Sequence, residues 1–199
     1  MSQQRQYVQI VVIRHTETNH NVHLCYSGHS DIGLNEKGIR QAQELAKELA
    51  RLFQPRAIIT SDLPRASMTA TILREECKIP FMLQTAALRE VDVGYATNKT
   101  KEEVFGSCPA ELHRTSYRHY DFSDVGGECS DQVIVRHVRL LEQLTYVQIP
   151  SELLSTIFLV GHSTALRSVF VDHLKLLPKL HEQGDYQTAL YQSQPNEMF

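Results

Sequence analysis

Val8-Gln9-Ile10-Val11-Val12-Ile13-Arg14-His15 is the stretch on which the reading of this chain turns. Its nearly unbroken, β-branched apolar run predicts a strand buried on both faces. The run stops on an arginine and a histidine. The same pattern recurs twice. Ala57-Ile58-Ile59-Thr60 leads into Ser61 and then Arg65, and Ile157-Phe158-Leu159-Val160 leads into Gly161-His162. Phe81-Met82-Leu83 and the stretch from Thr188 to Tyr191 read as minor strands.

Amphipathic helices alternate with these strands. After Asn35, the residues Ile39, Ala42, Leu45, Ala46, Leu49 and Leu52 fall on one stripe. Pro64 opens a second helix carrying Ala66, Thr69, Ala70 and Leu73. Ser130 is placed to cap a third, through Val133, His137, Leu140, Leu141 and Leu144. A fourth runs from about Ala165 to Leu177 and ends at Pro178. Buried strands alternating with helices imply an α/β fold, a three-layer sandwich with a mostly parallel central sheet flanked by helices. Ligands in such folds bind beyond the carboxyl ends of the strands. Arg14-His15, Ser61 with Arg65, and Gly161-His162 are therefore expected at one edge.

The bulk properties agree with one enzyme-sized unit. The 199 residues suit a single domain over 1–199, with 42% hydrophobic and 22% charged residues as in ordinary soluble globular proteins. The irregular 91–128 segment, with Tyr95, Tyr117 and Tyr120 and a Gly126-Gly127 end, reads as a substrate-shaping insertion. A net charge of −3 argues against nucleic-acid partners, which need a basic excess. No apolar run is long enough for a signal h-region or a membrane span. Cys25, Cys77, Cys108 and Cys129 show neither C-x-x-C nor zinc spacing. They read as reduced thiols, so a cytoplasmic location is expected. The oligomeric state is left open.

Two histidines and two arginines at one edge suit phosphoryl transfer. Imidazole is a competent nucleophile near neutral pH. Guanidinium presents a fixed fork of donors that matches phosphate oxygens. The transition state needs positioning and charge stabilisation, together with an acid for the leaving oxygen and a base for water. Ordered motifs then point to a family. Arg14-His15-Thr16-Glu17-Thr18 with Asn21 opens the series. Ser27-Gly28, Asp31, Leu34, Gly38 and Gln41-Ala42 follow. After them come Thr60-Ser61-Asp62-Leu63-Pro64-Arg65-Ala66 with Thr69-Ala70, Leu88-Arg89-Glu90 with Gly94, Gly126-Gly127-Glu128 and Val160-Gly161-His162.

In this order the blocks resemble the phosphoglycerate mutase-like histidine phosphatases, over about residues 8 to 170. The resemblance implies that His15 accepts the phosphoryl group, that Arg14 and Arg65 clamp its oxygens, and that His162 donates to it. It makes Glu90 the acid and then the base, with Asp92, Glu17 and Glu128 as neighbouring carboxylates. Asn21, Ser27 and Gly28 would contact phosphate or substrate. No metal and no cofactor are implied. The remaining histidines, His20, His23, His29, His113, His119, His137, His173 and His181, read as residues without a chemical role.

Some positions depart from the pattern. Thr16 and Ser163 stand where glycine is usual, Cys25 where arginine is, and Cys129 where serine is. Ala96-Thr97-Asn98 replaces a common Trp-Glu-Gly. The catalytic set is intact, so activity is expected, with an unusual substrate. The leading expectation is a phosphatase acting on a small phosphorylated metabolite. The Tyr26-Ser27-Gly28-His29-Ser30-Asp31 segment resembles relatives that act on α-ribazole phosphate and on sugar phosphates, but is too short to fix the substrate. A phosphoglycerate mutase and a catalytically inactive phospho-ligand-binding module are the alternatives.

Overall fold

A computed structural model describes residues 9–100, 102–104, 121–146, 156–175, 179–182 and 187–191. Its centre is a six-stranded sheet. The strands are β1 (Gln9–Arg14), β2 (Ala57–Ser61), β3 (Phe81–Thr85), β4 (Thr156–Gly161), β5 (Lys179–Glu182) and β6 (Gln187–Tyr191), in the order β3-β2-β4-β1-β6-β5. The first four are parallel. β6 runs antiparallel to β1, and β5 to β6. The expected mostly parallel sheet is thus present, and β5 is a strand that the sequence pattern did not single out.

Alternation along each strand divides the core in two, because successive side chains point to opposite faces. On one face Val11, Ile13, Ile58, Phe158 and Val160 meet Leu45, Ala46 and Leu49 of α2 (Glu36–Leu52) and Ala66, Ala70 and Leu73 of α3 (Pro64–Glu76). On the other, Val12, Ala57, Ile59, Ile157 and Leu159 meet Leu140 of α4 (Ser130–Tyr146) and Leu166 of α5 (Ser163–Leu166). Val169 and Phe170, in the π-wound turn Arg167–His173 that continues α5, complete this face. These are the three expected layers. Truncating a fully buried side chain such as Phe158 to alanine would cost about 3–5 kcal/mol.

Local signals explain most boundaries. The Asn35 side chain accepts the Gly38 N–H at 2.7 Å and caps α2. Pro64 sits in the first turn of α3, where its missing N–H costs nothing. A single turn, α1 (Asn19–Val22), is capped by Thr18. Two expectations are corrected. Ser130 is the first residue of α4 rather than its cap, and the Gln132 side chain instead accepts the Cys129 N–H at 2.9 Å. The last helix starts at Ser163 and stops at His173, short of Leu177, because Lys175 adopts φ +55°, which no right-handed helix contains. Pro178 lies outside the described residues.

A third apolar cluster joins the described part of the irregular segment to the sandwich. Val91, Val93, Ala96, Val104 and Phe122 pack with Val133 of α4 and Ala165 of α5. Tyr95 stays exposed, while Tyr117, Tyr120 and Cys108 lie outside the described residues. Cys25, Cys77 and Cys129 are free thiols. Among the described residues no helix is long and apolar enough to cross a membrane.

Candidate active site

Strand pairing brings the two histidines together. Arg14 pairs with Gly161 across β1 and β4, and the His15 N–H donates to the Gly161 carbonyl at 3.0 Å. His15 and His162 thus leave adjacent parallel strands side by side, with ring centroids 5.2 Å apart. Both are buried. The His15 Nδ1–H donates to the Thr16 carbonyl at 2.7 Å. A carbonyl can only accept, so the lone pair of a neutral His15 lies on Nε2. Burial, the Arg14 charge and the Arg65 charge together hold the His15 imidazole down to about 3, against the opposite pull of the Thr16 carbonyl. His15 is neutral at physiological pH. His162 is also pushed well below the usual histidine range, first by burial and then by His15 and Arg65. Neither of its ring nitrogens has a hydrogen-bond partner among the described residues.

Arg65, in the first turn of α3, is fully buried. Nη1 donates to the Ser30 carbonyl at 2.9 Å and Nη2 to the Gly28 carbonyl at 2.8 Å, while Nε has no partner among the described residues. Burial lowers it to about 10, with Glu90 and Asp31 pulling upward, so it remains a cation at neutral pH. Asp62, three positions before Arg65 in the chain, pairs with Arg89 at 2.6 Å. Arg14 is exposed at the end of β1.

The loop after His15 is fastened to the start of α2. The Thr16 hydroxyl donates to the Gly38 carbonyl at 2.8 Å, and the Thr69 hydroxyl accepts the Thr16 N–H at 3.3 Å. The side chain at position 16 is thereby accommodated as a tether. A Cβ on Gly38 would collide with the Glu17 carbonyl, so only glycine lets α2 approach this closely. The Glu17 carboxylate is engaged by Asn35 at 3.0 Å and Lys37 at 3.2 Å.

Glu90 lies where the last helix begins. Oε1 accepts the Val91 N–H and the Ala165 N–H, both at 2.9 Å, and Oε2 accepts the Thr164 N–H at 3.3 Å. The carboxylate therefore sits at the helix turn that follows His162 and acts electrostatically on Arg65. The other carboxylates are otherwise engaged. Glu128 pairs with Arg136 at 3.0 Å, and Asp92 accepts the Gly94 N–H at 2.9 Å.

The three expected ligand contacts, Asn21, Ser27 and Gly28, each have a partner within the protein. Asn21 Oδ1 accepts from the Thr18 N–H and hydroxyl, both at 3.0 Å, as half of a capping box, which commits that oxygen to α1. Ser27 Oγ lies 3.3 Å from His20 Nδ1. Gly28 takes φ +46°, and its carbonyl accepts from the Arg65 guanidinium at 2.8 Å. The sequence reading missed several side chains that flank these groups. His29 Nε2 donates to the Glu90 carbonyl at 2.8 Å. His137, on α4, is buried and lowered to about 4, first by burial and then by Arg136. Arg136 binds the acid-bearing loop through several carbonyls. Arg136 and His137 lie on a helix without a motif of their own, and His29 lies in the Tyr26–Asp31 segment, whose likeness to relatives does not reveal its contact with the Glu90 carbonyl.

Comparison with known proteins decides the family. A family model described as the histidine phosphatase superfamily (branch 1) matches residues 10–191. The chain belongs to the histidine phosphatase superfamily. The metal-independent phosphoserine phosphatase of Arabidopsis thaliana is 28% identical over 82% of this chain and 67% of its own length. Phosphoglycerate mutase-like protein 4 of the same plant is 32% identical over 69% of this chain and 60% of its own length. The chain thus spans about three fifths to two thirds of these curated relatives. Among solved structures, a mycobacterial glucosyl-3-phosphoglycerate phosphatase in complex with VO3 superposes with a TM-score of 0.73. It is 28% identical, with 85% of this chain and 83% of that one covered. The phosphoglycerate mutase-like fold expected from the motifs is borne out. The family and its phosphatase-named members support a hydrolase of phosphate monoesters. Among the described residues of this histidine phosphatase, no three His, Cys, Asp or Glu side chains are grouped to hold a metal ion.

Proposed function

We propose that this histidine phosphatase hydrolyses a small phosphorylated metabolite through a phosphohistidine on His15, without a metal. The observation that carries the reading is the state of His15. Its Nδ1–H is committed to Thr16, and its neutral Nε2 is left as a nucleophile beside a buried guanidinium and a second neutral imidazole.

In the first step His15 Nε2 attacks phosphorus as the ester P–O bond breaks, and Glu90, a carboxylate in the free enzyme that takes up a proton as the phosphate dianion binds, gives that proton to the leaving oxygen. In the second, Glu90 takes a proton from water, whose oxygen attacks phosphorus and releases His15 and inorganic phosphate. Arg65, Arg14 and an N–H of His162 stabilise the charge on the phosphoryl oxygens, in a site where fixed donors outweigh water. Gly28 serves by its carbonyl, which aims Arg65. Ser27 is aimed by His20. Asn21 shapes the loop through its cap. The 91–128 segment shapes the leaving-group side, its described part being held to Ala165 and Val133 by apolar packing.

The test is p-nitrophenyl phosphate hydrolysis in excess EDTA by wild type and His15→Ala, followed by acid and base quenching of labelled enzyme. Activity that vanishes in the variant, with an acid-labile and base-stable label on His15, is the expected result. Equal activity in both proteins defeats the reading. A mutase is the second reading, motivated by the mutase-like relative. It requires that activity depend on a bisphosphate primer.

A further inference from the structure

Arg136 touches none of the groups assigned to the phosphate, yet it is among the most heavily bonded side chains around the site. Its Nη1 donates to the carbonyls of Ala87 at 2.9 Å and Arg89 at 2.7 Å. Its Nη2 donates to the Glu90 carbonyl at 2.9 Å and to Glu128 Oε2 at 3.0 Å, and its Nε donates to Glu128 Oε1 at 3.0 Å. One planar guanidinium thus gathers three carbonyls of the loop that carries Glu90. That loop has only a short turn, Ala86–Leu88, and then no regular structure to satisfy its backbone.

The anchor is itself anchored. Glu128 Oε2 accepts the Asp92 N–H at 3.0 Å, and the Glu128 N–H donates to the Asp92 carbonyl at 2.8 Å. Burial pushes Glu128 upward, but the hydrogen bonds from Arg136 and the Asp92 N–H, helped by the Arg136 charge, bring it below the usual carboxylate range and keep it an acceptor. His29 adds a second donor on the Glu90 carbonyl at 2.8 Å. On its other side the loop is fixed by the Arg89–Asp62 pair, which has two hydrogen bonds of 2.7 and 2.6 Å. The Glu90 carboxylate then has few ways to move, and it reaches the Ala165 and Thr164 N–H groups.

We infer that Arg136, braced by Glu128, is the positioning residue that sets the place of the Glu90 carboxylate relative to the departing oxygen. The inference rests on the reading of Glu90 as the acid and base. Arginine is needed because five coplanar N–H groups serve the carboxylate and the three carbonyls at once. A lysine keeps the charge and the stem but offers a single point.

The experiment uses Arg136→Lys, with Glu128→Gln as a milder second variant should the first fail to fold. Hydrogen exchange at the Thr164 and Ala165 amides reads the carboxylate's place without any chemistry, and it should accelerate in the variant. kcat should fall about tenfold further on phenyl phosphate than on p-nitrophenyl phosphate, with KM for both within about twofold, because small misplacements of a catalytic group cost up to about 10²-fold. In a Glu90→Gln background, Arg136→Lys should add less than about twofold. Unchanged exchange at Thr164 and Ala165, equal losses on both esters where Glu90→Gln does distinguish them, or losses that multiply with Glu90→Gln would each overturn the inference. Accelerated exchange together with a Glu90→Gln variant that ignores the leaving group would uphold the positioning and defeat the acid reading instead.

Discussion

His15→Asn tests the neutrality on which the nucleophile depends. The unfolded chain titrates His15 near its ordinary 6.5, and the folded protein holds it down to about 3. Between those values the unfolded state carries the extra proton, so lowering the pH favours unfolding, and stability rises with pH across this window. Each unit is about 1.4 kcal/mol, so two units down to about pH 4.5 cost the fold about 2.7 kcal/mol through His15 alone. The figure does not depend on how far below 4.5 the folded value lies. The side-chain amide introduced by the substitution would still reach the Thr16 carbonyl, so the loop keeps its contact. Urea denaturation of both proteins at about pH 7 and about pH 4.5 gives the two losses. Buried His137 and His162 and the carboxylates titrate in both and largely cancel. Wild type should lose about 2.5 kcal/mol more than the variant between the two pH values. Equal losses would mean that folded His15 carries a proton at mildly acidic pH, and the case for a free Nε2 nucleophile would fail.

Arg65→Lys should lower kcat/KM by about 10³-fold or more and weaken inorganic phosphate binding measured by calorimetry, since a buried guanidinium is replaced by a point charge. Wild-type phosphate affinity would mean that the guanidinium does not serve the anion. Thr16→Gly deletes the hydrogen bond to Gly38 and frees the backbone whose carbonyl holds the His15 Nδ1–H, so it should cost about 1–2 kcal/mol in a thermal melt and lower kcat about 3–10-fold. An unchanged melt would show that the tether carries no stability. Hydrolysis of p-nitrophenyl phosphate should be the same after dialysis against EDTA, and a loss restored by a divalent cation would refute the metal-free route.

The sheet and the edge that carries His15, Arg65 and His162 were legible because their signals are local and redundant. Val11 to Ile13, Ile58-Ile59 and Ile157 to Val160 are short apolar runs that announce buried parallel strands, and each ends on a polar group placed by strand length alone. Asn35 and Pro64 mark helix starts by their own chemistry. The end of the last helix was missed because its stop is a lysine with positive φ, for which no residue type advertises. Arg136, His29 and His137 were missed for a related reason. An arginine on an amphipathic helix looks like surface charge until the loop that supplies its acceptors is folded beside it. Gly28 was read as a ligand contact because it lies in a motif, and the hydrogen bond from Arg65 to its carbonyl is a contact that the motif does not announce.

The protonation pattern of the site follows from one economy of charge. Arg65 is a cation without solvent exposure, and such a group is tolerated only if it is hydrogen-bonded and faced by negative charge. It has the Gly28 and Ser30 carbonyls and the nearby Glu90 and Asp31. Burial first, and then the neighbouring charges, Arg65 among them, keep His15 and His162 neutral. A phosphate dianion reverses the balance, since it meets the guanidinium and can draw an N–H from His162. As Nε2 bonds to phosphorus in the proposed reaction, positive charge develops on the His15 ring. The group already in place to receive it is the Thr16 carbonyl on Nδ1–H, the one neighbour that favours the charged ring in the free enzyme. That hydrogen bond therefore does more in the transition state than in the ground state, which is the condition for it to accelerate the attack rather than only to orient the ring.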